Sequence, residues 1–409
     1  MIRLLFLGAL FSTSLFATTI CDRVFQVEAS HVAIFHDPSL RPQLHADGDL
    51  VLVLGEEMAQ TWFPRGQNES SILPTPYLSP RLGSIAVSRS GGSALLVEDR
   101  GENSAIHDVN LSDGVITRTE DWPKTNGVPH LVHDRLALVN PPSGNLELWD
   151  PVSQSKKSDL SLPAPGFIDE VISSNSKNIF AVKFRGEPAQ GWIVSAETGA
   201  TLFQIPLGWN RLAISPQEKT VIHSLKDGFV TWQNISRGAR LGLIDTGTTS
   251  PIRDLHFIDE LHALTSQGSR IRVWELEVAQ LQSSNQLKSI VNMDVENDMI
   301  STAVVSPDRR WIATAHSNGE VIVWDRATFT PVAELSGHSV SVYSVQFSED
   351  GSTILTADIG NELRHWDLDT RLKGDPTKSE WKTDVGRLQI RRENTPEGIQ
   401  VRIEGKRWL

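Results

Sequence analysis

Twelve histidines are the side chains best suited to chemistry in this chain, as metal ligands or proton carriers. His31, His36, His45, His107, His130 and His133 fall early. His130 and His133 have the i,i+3 spacing that would bring two ligands together on a helix. Their segment reads instead as a strand, where that spacing aims the rings at opposite faces. His31 and His36 also differ in parity. No His-Glu-x-x-His occurs, and Cys21 is the only cysteine, which excludes an internal disulfide and a cysteine-built zinc site. Hydroxyls flank His338 in Ser336-Gly337-His338-Ser339, but neighbours in sequence do not make a triad, and no Gly-x-Ser-x-Gly elbow occurs. Glycine-rich phosphate cradles are absent too; the glycines fall at turns, as in Ser90-Gly91-Gly92. These patterns lead us to expect no catalytic residue, no metal ligand and no cofactor.

The elements that carry these residues repeat. Trp149, Trp192, Trp232 and Trp274 follow one another at spacings of 43, 40 and 42 residues, and Trp324 and Trp366 come 50 and 42 later. Backwards, the beat lands on His107 and then Trp62. Each marker ends a short alternating run, such as Ile271-Arg272-Val273-Trp274 or Val321-Ile322-Val323-Trp324, which reads as a strand. About 18 residues before the markers come turns: Ser174-Asn175-Ser176, Ser215-Pro216, Ser306-Pro307-Asp308 and Ser348-Glu349-Asp350-Gly351. Strands flank each turn, and a weaker fourth follows the marker, as in Thr201–Ile205 and Pro331–Leu335. A four-stranded unit of this length cannot cover both its faces, so neighbouring units must, and closing the array leaves only short edges.

One stretch is more specific. Leu335-Ser336-Gly337-His338 is followed 28 residues after His338 by Trp366-Asp367, and Trp324-Asp325 and Trp149-Asp150 repeat the close. This resembles a WD repeat. The resemblance implies an all-β, single β-propeller of four-stranded blades, and a buried network within a blade in which His338, Thr356 and Trp366 take structural rather than functional places. The Asp place falls on Gly360, which leaves that network incomplete. A second, shorter likeness is to quinoprotein-type propellers, over Trp192–Phe203, with no calcium or quinone site to carry over. Eight markers imply eight blades; seven is the alternative. Val24-Phe25-Gln26-Val27 is the expected outer strand of the last blade.

The chain divides into 1–17, 22–370 and 371–409. Arg3, a short apolar core and small residues around Ala17 read as a secretory signal peptide. The run is too short for a membrane span. Ile20 stands where a lipid-anchored Cys21 needs a small residue, so no lipid anchor is expected. With one cysteine in an exported chain, a bacterial periplasmic setting is expected, with extracellular release as the alternative. The tail alternates in Arg387–Arg391 and Ile399–Ile403 around Asn394-Thr395-Pro396-Glu397-Gly398, which predicts a hairpin with a five-residue loop. Its basic side chains read as the solvated face of a hairpin packed on the propeller. The net charge of −12 argues against nucleic acid or anionic lipid as partner. The expected function is therefore a non-catalytic scaffold that binds a protein or peptide through loops preceding the innermost strands, Gly337-His338 included. The alternative is a propeller enzyme, hydrolase or quinoprotein-like, with its active site in the central channel.

Overall fold

The computed structural model describes the chain between residues 25 and 405. Before residue 93 only strands are described, and residues 1–24, 277–286, 369–379 and 406–409 are the longer stretches left out. The signal segment, His36, His45 and Cys21 therefore lie outside the described residues. All the regular elements described are strands, and they form an all-β propeller. The strands fall into eight sheets: I (41–72), II (82–122), III (129–163), IV (168–205), V (212–245), VI (254–296), VII (300–335) and VIII (342–367). First strands of successive sheets lie side by side from II to IV and from V to VIII, and the first strand of I lies beside that of VIII.

Sheet VII shows why the strands alternate. Its strands are Ile300–Val305, Trp311–His316, Val321–Asp325 and Pro331–Leu335. Every residue of the second and fourth is buried. Ile312, Ile322 and Trp324 enter a core with Leu264, Ile271 and Val273 of sheet VI. Trp311, Ala313, Val321 and Val323 enter another with Ile354 and Trp366 of sheet VIII. The two-residue period of a strand thus divides one apolar run between two neighbours.

The turn signals share one geometry. Ser174, Ser215, Ser306 and Ser348 are buried. Each hydroxyl accepts the backbone N–H five residues on, of Ile179, Thr220, Trp311 and Thr353 in turn. The fourth residue of each turn is left-handed: Lys177, Glu218, Arg309 and Gly351 have φ of 60°, 58°, 61° and 70°. Only the last uses the residue suited to that region.

The ends of the chain correct two expectations. Phe25–Val27 pairs in parallel with Pro331–Leu335, the outer strand of sheet VII, not with the last sheet. His31–Ile34 is the strand that pairs, antiparallel, with Glu362–Asp367 and completes sheet VIII. The tail loop is shorter than expected: Thr395 pairs with Gly398, so two residues form the turn. The tail also has a third strand, Glu380–Val385. Gly398–Gly405 adds in parallel to Ser289–Glu296, the outer strand of sheet VI. Ile390, Val401 and Ile403 are fully buried in the core shared by sheets VI and VII, so the tail docks on its own propeller.

Replacing Lys177 by Gly relieves the left-handed backbone and should raise stability by about 0.5–1 kcal/mol in urea denaturation. Ile403→Ala should lower it by roughly 2–4 kcal/mol, because the tail then leaves a cavity in that core.

Candidate interaction face

The marker position is a structural slot on the third strand. It faces, on the second strand, the residue two beyond its pairing partner. In sheets VI, VII and VIII the slot holds a Thr–Trp pair. The indole N–H of Trp274 donates to Thr265 Oγ1 at 2.9 Å, Trp324 to Thr314 at 3.0 Å and Trp366 to Thr356 at 2.8 Å. Sheet II fills the same slot with His107 and Glu98, 2.9 Å apart and both buried. In sheet IV, Trp192 meets Phe184 edge-on.

Sheet V departs from the beat. Trp232 pairs with Ile222 and enters the core shared with sheet VI, whereas its neighbour Val221 packs towards sheet IV. In sheets III, IV, VI, VII and VIII the marker Trp instead faces the preceding sheet. The slot of sheet V therefore falls to Gln233, which pairs with Val221, and His223 Nε2–H donates to Gln233 Oε1 at 3.0 Å. Trp232 is one residue off register, and its buried indole N–H has no partner. Burial lowers the pKa of His223 to about 4, partly offset by the bond to Gln233. A second proton would sit on Nδ1, which is buried without an acceptor.

Two of these pairs continue to the end where the first strands begin. His338 donates through Nδ1 to Asp358 Oδ2 at 2.8 Å and lies 2.6 Å from Thr356 Oγ1 through Nε2. His338, Thr356 and Trp366 are thus joined, and Asp358, not Gly360, completes the network. Gly360 instead donates its N–H to Asp358 Oδ1, as does the N–H of Glu362. Sheet VII holds the same pair with the partners exchanged. His316 stands at the place of Asp358, and Asp298 lies in the loop before the first strand. Their Nδ1 and Oδ2 are 3.3 Å apart, within ion-pair range but not aligned as a hydrogen bond. Sheet VI uses Gln267, which donates to Ser250 O at 2.7 Å. All three tie the incoming loop to the loop between second and third strands. Two glycines let these loops meet. A Cβ on Gly319, at φ 90°, would strike His338 O, and one on Gly337, at φ 151°, would strike the Arg364 guanidinium.

The tied loops form a rim. Arg211, before the first strand of sheet V, donates to Arg253 O at 2.7 Å. Arg253, before that of sheet VI, donates to Ser301 O at 2.9 Å. Ser301 and Ser341 hydroxyls bond at 3.0 Å across sheets VII and VIII. On this braced rim Met299, Tyr343 and Ile359 are 50%, 39% and 65% exposed. Ser317 N–H donates to Met299 O and Ile359 N–H to Ser341 O, which anchors their backbones.

The early histidines behave differently from expectation. A bulge between Leu131 and His133 breaks strand alternation, so the spacing no longer sets His130 and His133 on opposite faces. Both are half-buried, while the other residues of that strand are buried. Burial lowers the pKa of His130, and His133 Nδ1 accepts Arg135 N–H. Among the described residues no group of three or more His, Cys, Asp or Glu could hold a metal. No described helix is long and apolar enough to cross a membrane.

Residues 289–325 and 329–367 match the WD domain, G-beta repeat family. Each match runs from the outer strand of one sheet through the third strand of the next, ending in sheets VII and VIII, two of the three sheets with a Thr–Trp slot. Among characterised proteins, the chain is 26% identical over 153 residues to B-type cell cycle switch protein ccs52A of Medicago truncatula, covering 35% of this chain and 30% of that one. It is 30% identical over 99 residues to Anaphase-promoting complex subunit cdh1 of Dictyostelium discoideum, covering 24% and 12%. It is 27% identical over 169 residues to Protein FIZZY-RELATED 3 of Arabidopsis thaliana, covering 40% and 33%. The chain thus spans a third or less of each relative. The C-terminal WD40 domain of Sif2 superposes with a TM-score of 0.62 at 14% identity, over 85% of this chain and 99% of that one.

Thr356→Val orphans the indole N–H of Trp366 and one nitrogen of His338, and should cost roughly 2–4 kcal/mol in urea denaturation. His223 has a lowered folded pKa, so its contribution is complete above pH 6.5 and lost as pH falls towards about 4. That loss is on the order of 3 kcal/mol at most. His338, also lowered by burial against the opposing pull of Asp358, has the same sign. Stability measured from pH 7 to 4 should fall, and fall less in His223→Leu.

Proposed function

We propose that this propeller, whose last two sheets carry WD40 repeats, is a non-catalytic scaffold that binds a protein or peptide on the rim between sheets VII and VIII. The observation that carries this reading is the set Met299, Tyr343 and Ile359, large apolar side chains held towards solvent on braced backbone. Exposed apolar groups on a rigid rim lose little entropy on binding and gain from leaving water. One relative, Anaphase-promoting complex subunit cdh1, is by name a subunit of a complex, which supports a protein partner. We read the eight sheets as blades of one closed ring, which end-on electron-microscopy images would count; seven would overturn that reading. We also infer that residues 1–17 direct export, with the bacterial periplasm as destination. N-terminal sequencing of the native protein tests this: a chain starting at Met1 would end it.

The binding reading is tested with Met299→Asp and Ile359→Asp, which should leave stability within about 0.5 kcal/mol. The tagged native chain, purified from its own cells, should retain a stoichiometric partner that the double variant loses. A partner held equally by both would place binding elsewhere.

A further inference from the structure

At the end of the sheets opposite the rim, the tail tip roofs a cavity of about 630 Å³. That volume lies within the range of small-molecule sites. Its wall is the parallel seam where Val291 pairs with Ile399, widened by Ile290 and by Phe329 of sheet VII. Asn394, exposed, stands at the tail side. The polar corner is Asp259, His262 and Arg326.

This corner is internally saturated on its anionic side only. Asp259 Oδ1 accepts His262 Nδ1 at 2.8 Å and the Leu261 N–H at 2.9 Å, and Oδ2 accepts Arg326 Nη1 at 2.9 Å. Burial opposes its ionisation, but these donors outweigh burial and hold the carboxyl below its ordinary range. Glu260 is engaged elsewhere, by the Gln217 N–H. Arg326 spends one nitrogen on Asp259, and its remaining guanidinium N–H groups have no partner among the described residues. Its side chain is 33% exposed, so water and solutes reach it. Arg309 is turned away, donating to Phe257 O and Ile258 O.

We propose that this cavity is a binding site for a small organic acid with an apolar chain. The ligand carboxylate takes the free N–H groups of Arg326, a charge-assisted contact with planar geometry suited to carboxylate. The chain lies along Ile290, Val291, Phe329 and Ile399, leaving water for an apolar wall. This inference is independent of the rim. Because the roof belongs to the tail and the floor to sheets VI and VII, such a ligand would also bind the tail to the ring.

The test is calorimetric titration of the full chain with octanoate, with octan-1-ol as the uncharged counterpart. Saturable one-to-one binding of octanoate, weaker by about tenfold or more for the alcohol and for Arg326→Ala, is expected. Arg326→Ala also frees Asp259, so a second variant keeps the corner intact. Ala327 is exposed and lines the cavity, and Ala327→Trp should plug it without touching the core. Octanoate should slow amide exchange in residues 394–399. No saturation, equal binding by both variants, or protection confined to other segments would overturn the proposal.

Discussion

A sheet that is apolar on both faces is stable only between two neighbours, and every other feature of this chain follows from that constraint. Trp311–His316 is buried throughout, yet its residues serve two separate cores. Removing either neighbour would leave half of that strand against water, at roughly 25 cal/mol per Å² of apolar surface. The turns, slot pairs and tied loops hold each sheet at the angle its neighbours require. The sheets in turn hold the loops, so the rim gains its rigidity from packing well below it.

The slot on the third strand shows how a repeat diverges while keeping its chemistry. Thr–Trp, Glu–His and His–Gln all place one donor and one acceptor in a buried position, and Phe–Trp replaces the bond by ring contact. The exchange of His338 and Asp358 for Asp298 and His316 is the same move. A buried polar group left alone costs more than a satisfied pair contributes, so both members must change together.

The repeat was legible because its Trp markers recur at a near-constant spacing and their neighbours alternate. The two sheets where the WD resemblance is specific, VII and VIII, both hold a Thr–Trp slot, and sheet VI holds the third without the rest of the motif. Legibility failed where the signal lies between segments distant in sequence. Trp232 has the right residue type at a plausible spacing, but register with Ile222 turns it to the other face, and only strand pairing reveals Gln233 as the occupant. Counting from a motif put the network's acid at Gly360, whereas geometry uses Asp358. The parallel pairings of Phe25–Val27 and Gly398–Gly405 depend on register between strands far apart, which local alternation does not encode, and within the tail hairpin alternation does not mark where the strands give way to the two-residue turn. The apolar side chains Met299, Tyr343 and Ile359 become visible only as exposure.

The strand pairings at the two ends set a timetable for synthesis. Phe25–Val27 leaves the ribosome about 300 residues before Pro331–Leu335, the strand it joins. At roughly 5–20 residues per second, it waits about 15–60 s with its backbone unpaired. The outer strand of sheet VI waits in its turn for Gly398–Gly405. Until both pairings form, chains of this sequence expose open strand edges that match one another, and exchange of end strands between neighbouring chains competes with closure.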